Sequence, residues 1–409
     1  MSYLVAQLGA RMHYAVPRIL YGAGRLEHFF TDICGSKGWP RLCGLLPADL
    51  QPESVRRIAG RALGDVPGDR ITAFNLLGVR YALRRRQARS RSDLTRAFLW
   101  AGRAFCRQVV SCGFGEARGV YVFNSAGLEV LEAARAKGCR AILEQTIAPR
   151  RVENDLLQIE QERFPTWQEP WVTQGEAARF CEREEAEWKL ADVILCGSSF
   201  VRSGIAECGG PAERCVVVPY GVKGHVRLAP RTDHDGPLRV LIVGAVGLRK
   251  GSPYVLAAAR ALHGRAVFRM VGGMECSPSA AASLSEAVEL IGSVPHSALP
   301  SHLAWADVLL LPSLCEGSAT AVYEALAASL PVICTANAGS VVRDGIDGFI
   351  VPIRDCEAIV DRLLRLSSDP DLRRNMAQNA QDRAQSFDLE AYGRRLLEAL
   401  GGRTAVVPP

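Results

Sequence analysis

Two doubly wound α/β domains are what this sequence predicts, and three observations carry the prediction. Short apolar runs of strand length recur along the chain, the stretches between them are rich in Ala and Leu at helical period, and the runs are apolar throughout rather than alternating. Continuous apolarity marks strands buried on both faces, as in a parallel sheet covered by helices. Strands and helices in alternation give the doubly wound pattern. At roughly 100–200 residues per domain, 409 residues divide naturally in two.

In the first half the strand candidates are 3–8, 120–123, 141–144, 192–196 and 215–218; in the second they are 238–243, 266–271, 307–311 and 330–334. Residues 220–237 mix Gly, Pro and charge without hydrophobic period and read as a linker. The expected division is 1–219, the linker 220–237, 238–385, and a terminal helix within 386–409 that packs back on the first domain. Residues 150–171 read as an amphipathic helix closed by a turn rich in Pro and Trp, either bordering a cleft or packing beside it.

Composition narrows the class. With 48% hydrophobic and 22% charged residues the chain can form a core, which excludes a disordered or collagen-like protein. Thirteen cysteines, odd in number and scattered without any C-x-x-C, suit a reducing compartment; Cys196 and Cys334 sit in apolar runs as small core residues. Seven histidines form no H-x-x-x-H pair and no His/Cys cluster, so no metal site is expected. No run reaches the ~20 apolar residues of a membrane helix, and the first residues lack a signal peptide's basic region. The expectation is a cytoplasmic protein.

A net charge of +6 does not favour a nucleic-acid partner unless it is concentrated. Residues 80–107 hold nine arginines and one aspartate, a local charge of +8 that leaves −2 for the rest. Interleaved with Leu94, Phe98, Leu99, Trp100 and Phe105, this stretch reads as an arginine-rich helix. It suits either an anionic lipid surface or a solvated helix face packed on its domain. The lipid reading places the protein at the inner face of a membrane.

Two stretches look chemical. In 243–253, VGAVGLRKGSP, a glycine-rich turn follows a strand and opens a helix, with Ser252 as N-cap and Pro253 as first helical residue. Arg249 and Lys250 stand outside that helix's positive end, an arrangement that suits a diphosphate; a solvated Arg-Lys pair is the competing reading. The glycines at 244, 247 and 251 match neither G-x-G-x-x-G nor the Walker spacing, which disfavours a nicotinamide-dependent dehydrogenase. In 309–352 a polar loop carries Glu316, and a helix beginning near Ser318 carries Thr320 and Glu324 on one face. Carboxylates so placed can accept from sugar and ribose hydroxyls, although Glu-x₇-Glu also arises by chance.

The string PS-x-x-EG-x₆-EALA-x₂-LPV, followed by NAGS and DG-x-x-GF-x-VP, resembles the donor-binding half of retaining glycosyltransferases of family 4. The likeness runs over roughly 240–390, with 182–222 resembling the end of that family's first domain. It implies the GT-B fold, in which two Rossmann-like domains face a central cleft, and a nucleotide-sugar donor linked to UDP or GDP, with no cofactor and no obligatory metal. It implies that Lys250 neutralises the diphosphate and that Glu316 lies near the transferred sugar. Glu324 would bind the ribose, the amides of Ser318, Ala319 and Thr320 would cap the diphosphate, and Val294 would contact the base. Gly247 belongs to the phosphate loop. Many members carry an arginine where this chain has Ala245, so Arg249 is expected to supply the second cation. Retention by front-face substitution depends on stabilising the leaving group, which makes Lys250, Arg249 and Glu316 the catalytic candidates. The acceptor is expected to be a glycan, glycolipid or lipid-linked saccharide. The alternative is an inactive GT-B protein that binds nucleotide sugars.

Overall fold

In the computed structural model the described residues are 1–43, 58, 60–222, 234 and 236–402. The first sheet comprises β1 (Tyr3–Gln7), β2 (Leu26–Thr31), β3 (Ile71–Ala73), β4 (Gly119–Phe123), β5 (Arg140–Gln145), β6 (Val193–Cys196) and β7 (Cys215–Val217), in the order β3-β2-β1-β4-β5-β6-β7. The second comprises β8 (Leu238–Val243), β9 (Ala266–Val271), β10 (Val288–Gly292), β11 (Val308–Leu311), β12 (Val332–Thr335) and β13 (Gly348–Val351), in the order β10-β9-β8-β11-β12-β13. The pairings are parallel in both sheets. Both domains are therefore Rossmann-like, as the apolar runs implied.

The strands that the sequence pattern does not mark are β2, β3, β10 and β13. Their physical reason is shared: each is short or broken by polar residues. In β2, Glu27 and His28 interrupt the run, and His28 is accommodated by a 2.8 Å hydrogen bond to Thr72 Oγ1 and by Phe30 at 4.6 Å. Strands β3, β10 and β13 are sheet edges and need no continuous apolarity.

The helices used below are α1 (Ala15–Gly22), α2 (Asn75–Gln87), α3 (Arg91–Cys112), α4 (Arg150–Arg163), α5 (Glu176–Leu190), α6 (Ser252–Ala261), α7 (Thr320–Ala327) and α8 (Leu389–Leu400). The arginine-rich stretch is two helices, not one. Helix α2 ends at Gln87, and Ser90 caps α3 by accepting the Asp93 N–H at 3.1 Å.

The linker 220–237 lies largely outside the described residues. At its start Val222 N–H donates to Phe387 C=O (3.0 Å), and Arg395 donates to the carbonyls of Pro219 and Tyr220 at 3.2 and 3.3 Å. Helix α8 reaches the first domain, where the Tyr3 hydroxyl donates to Leu400 C=O at 3.4 Å. Tyr121, Tyr220, Tyr323, Phe387 and Tyr392 belong to one apolar cluster that runs through both domains at this crossing.

Candidate functional site

Both chemical loops leave the carboxyl ends of β8 and β11, adjacent strands at the point where strand order reverses. Ligands of doubly wound sheets bind in that crevice. The first loop ends in a 3₁₀ turn over Leu248–Lys250, followed by Gly251 at φ 70°. A Cβ at Gly251 would lie 2.2 Å from Pro312 C=O, so this position demands glycine on two counts. Gly251 is consequently the N-cap of α6. Ser252, expected to be the cap, is its first helical residue, and its hydroxyl instead accepts the Gly247 N–H at 2.9 Å.

That turn aims both cations at one carboxylate. Arg249 Nη1 and Lys250 Nζ lie 2.7 and 2.8 Å from Glu316 Oε1, and Arg249 also donates to Cys315 C=O at 3.1 Å. Glu316 and Lys250 are buried among their neighbours while still facing the cleft. Burial opposes ionisation of Glu316, but Lys250 and Arg249 outweigh it and hold the carboxyl below its ordinary value. Burial works against the charged form of Arg249, but the neighbouring carboxylates, Glu316 before Glu153 and Glu275, outweigh it and raise Arg249 in turn. The result is an ionised triad with a net charge of +1 at the base of the cleft.

Helix α7 begins at Thr320, two residues beyond Ser318, with Ala319 as its N-cap. The Ser318 hydroxyl is engaged with Tyr323 Oη at 2.6 Å, and the Ala319 N–H is given to Ala338 C=O at 3.1 Å. Glu324 faces the cleft, where its Oε1 pairs with His296 Nε2 at 2.8 Å. His296 is the residue that sequence reading missed on this side. It lies two positions beyond Val294, in a stretch where no spacing singled it out.

The opposite wall comes from the first domain. The turn after β1 places Met12, His13 and Tyr14 at positive φ (47°, 49° and 60°), a strained run of non-glycine residues of the kind concentrated at functional sites. It presents Arg11 to the cleft, donating to Tyr220 Oη at 3.3 Å and Thr146 C=O at 3.4 Å. The His13 ring lies 6.3 Å from that of His296 across the cleft, edge to face. Behind Arg11, Glu144 is buried and accepts from Tyr121 Oη (2.5 Å) and Tyr220 Oη (2.8 Å). Burial pushes its carboxyl above the ordinary range despite Arg11 and both hydroxyls. Glu144 is thus a structural support, and Arg11 is the first-domain cation that sequence reading did not single out.

The cleft between the walls has a volume of about 1610 Å³ and is lined by Arg11, His13 and Thr146 on one side. Arg249, Lys250, Glu316, Ser318, Ala319, Thr320 and Glu324 line the other. Seven of the nine residues marked by the sequence are therefore brought together. Two are not among the lining residues: Gly247, whose amide is turned to Ser252, and Val294, which is half-buried against the core. The walls also touch directly, with the Ser198 hydroxyl on Gly317 C=O (2.5 Å) and the Ala148 N–H on Glu316 C=O (3.3 Å).

Residues 229–383 match the family model described as "Glycosyl transferases group 1". The matched segment covers 155 of the 409 residues. It contains both loops of the triad and helix α7. The chain is 31% identical over 193 residues to the amylovoran biosynthesis glycosyltransferase AmsK of Erwinia amylovora, covering 43% of this chain and 47% of that one. It is 30% identical over 243 residues to a GDP-mannose-dependent alpha-(1-6)-phosphatidylinositol monomannoside mannosyltransferase of Mycolicibacterium smegmatis, covering 52% and 63%. The matches span about half the length of the curated relatives. Among solved structures, HepE of Anabaena in complex with UDP and glucose superposes with a TM-score of 0.64 at 14% identity, over 98% of this chain and 100% of that one. WaaG, a glycosyltransferase involved in lipopolysaccharide biosynthesis, gives a TM-score of 0.59 at 15% identity, over 98% and 100%. The two Rossmann-like domains together form a GT-B fold.

Proposed function

We propose that this protein transfers a sugar from a nucleoside-diphosphate donor to a hydroxyl acceptor, with retention of anomeric configuration. The observation that carries the proposal is the Arg249–Lys250–Glu316 triad at the base of the cleft in the group 1 domain. As the glycosidic bond breaks, negative charge grows on the diphosphate oxygen, and two preorganised cations stabilise that charge most when it is greatest. Glu316 keeps both cations aimed into the cleft and lies where it meets the sugar. Glu324, on the first turns of α7, accepts from the ribose hydroxyls, and the N-terminus of α7 supports the diphosphate. In this reading side-chain cations supply the charge, so no metal is needed. Acceptor attack comes from the face the leaving group departs, and the departing oxygen takes the acceptor proton.

The donor is a UDP- or GDP-sugar. The UDP complex of HepE and the GDP-mannose dependence of the mycobacterial relative support these two bases. Relatives named for amylovoran, colanic acid and phosphatidylinositol mannoside synthesis support a glycan, glycolipid or lipid-linked acceptor. A screen of UDP- and GDP-sugars for nucleotide release tests the transferase reading, and silence across the panel with both lipid-linked and soluble saccharide acceptors would sink it. Proton NMR of the product then tests retention, since an inverted anomer contradicts the front-face route.

A membrane-facing role for residues 80–107 belongs to the same proposal. Leu76, Arg80, Leu83, Arg84 and Gln87 follow one another at helical spacing and are all exposed, with Leu76 at 65% and Leu83 at 52%. A stripe mixing leucine and arginine fits the interface of an anionic bilayer. Among the described residues no helix is long and apolar enough to cross a membrane, so the contact proposed is with its surface.

A further inference from the structure

Residues 150–171 leave the first domain between β5 and α5 and end up packed against the second. Near its start α4 is held by the first domain: Arg150 N–H donates to Glu184 Oε2 at 2.8 Å, and Arg151 pairs with Glu185. Further along, Leu157 is in the second domain's core, and buried Glu160 pairs with Arg354 while accepting from Tyr254 Oη at 2.8 Å. Beyond the helix, Thr166 C=O accepts from Ser277 Oγ and Trp167 C=O from Ser277 N–H, both at 2.7 Å. These contacts fix the next residue, Gln168, which is buried. Its Oε1 accepts the Leu248 N–H at 3.0 Å.

Leu248 opens the 3₁₀ turn that carries Arg249 and Lys250. The two amides before those cations are thus both engaged away from the cleft: Gly247 N–H on Ser252 and Leu248 N–H on Gln168. With those peptide planes fixed, the two cationic side chains are directed onto Glu316. Without an acceptor, the buried Leu248 N–H must seek water, and the turn rotates with it. We infer that Gln168, a side chain from the first domain's excursion, is a positioning residue that sets the diphosphate clamp of the second domain. This rests on the donor-site reading above.

The test compares wild type with Gln168→Met, which keeps length but removes the acceptor, and with Gln168→Glu, which keeps an acceptor oxygen. Gln168→Asn, too short to reach, replaces the Met variant should that one not fold. Calorimetric titration uses UDP and GDP against uridine and guanosine; hydrogen exchange follows the peptide spanning 244–252 without nucleotide. The Met variant should bind the diphosphates about tenfold more weakly, keep its nucleoside affinity, and exchange faster at Leu248, while the Glu variant keeps slow exchange. A general loss of structure would weaken both ligand classes alike. Wild-type exchange and a wild-type ratio of diphosphate to nucleoside affinity in the Met variant overturn the inference. If wild type binds neither diphosphate, the donor reading falls and the clamp with it, whereas the exchange comparison still decides whether Gln168 sets the turn.

Discussion

Glu316 holds two cations with one oxygen, and the clearest predictions follow from that geometry. In the proposed reading, replacing Lys250 by Ala removes one of the two cations that stabilise the leaving group, so turnover at saturating donor should fall by about 10²–10³-fold, with the melting temperature little changed. Near-normal turnover would remove Lys250 from the chemistry. Glu324→Ala should weaken UDP or GDP binding measured by calorimetry, because the proposed reading makes Glu324 the acceptor for the ribose hydroxyls; unchanged affinity argues against that role. The sign of the pH dependence follows from Glu316, whose folded-state carboxyl lies below its ordinary value of 4.5. Its ion pairs stabilise the fold fully above that value and lose their effect as pH falls through the lower folded value. The melting-temperature gap between wild type and Glu316→Gln should therefore shrink as pH falls below 4.5 and through the lower folded value; a constant gap means the triad is not ionised. At this scale the sequence was informative where a loop is local: Arg249, Lys250, Glu316 and Glu324 lie within short motifs. Arg11 and His296 were not legible, because their relevance comes from a cleft wall assembled by residues far apart in the chain.

Elements were legible in proportion to their burial. Interior strands such as β4, β5, β8 and β11 are buried on both faces and announce themselves as apolar runs. The edge strands β3, β10 and β13 and polar-interrupted β2 do not, although the edge strand β7 does. The excursion over 150–171 shows the same limit for helices: Glu153, Asn154, Leu157 and Glu160 form one buried face, but three of these four are polar, so periodicity cannot say which domain receives them. Contacts between elements of the two domains give a direct test of the closed cleft. A Cβ at Gly317 would lie 2.0 Å from Thr146 C=O. Gly317→Ala should destabilise the protein by about 1–3 kcal/mol in denaturant titration and lower turnover by prising the walls apart. A variant with wild-type stability and turnover would show that this contact is not maintained in solution.

Over the whole molecule, charge and shape divide the labour. The near-neutral bulk carries the cleft, and the excess positive charge is confined to the α2–α3 hairpin, whose Arg91 pairs with Glu275 of the second domain at 3.5 Å and lies 4.8 Å from the Trp171 ring. If this hairpin docks on lipid, the protein should sediment with anionic vesicles and be released by salt; equal binding to neutral vesicles contradicts that role. The excursion over 150–171, the crossing at Tyr220 and the return through α8 tie the two domains around one cleft. The measurement that tests this account most directly is nucleotide release from UDP- and GDP-sugars at saturating donor, run on wild type and Lys250→Ala side by side. Release by wild type, with a loss of two to three orders of magnitude in the variant, is the predicted result; release of equal rate from both proteins would contradict it.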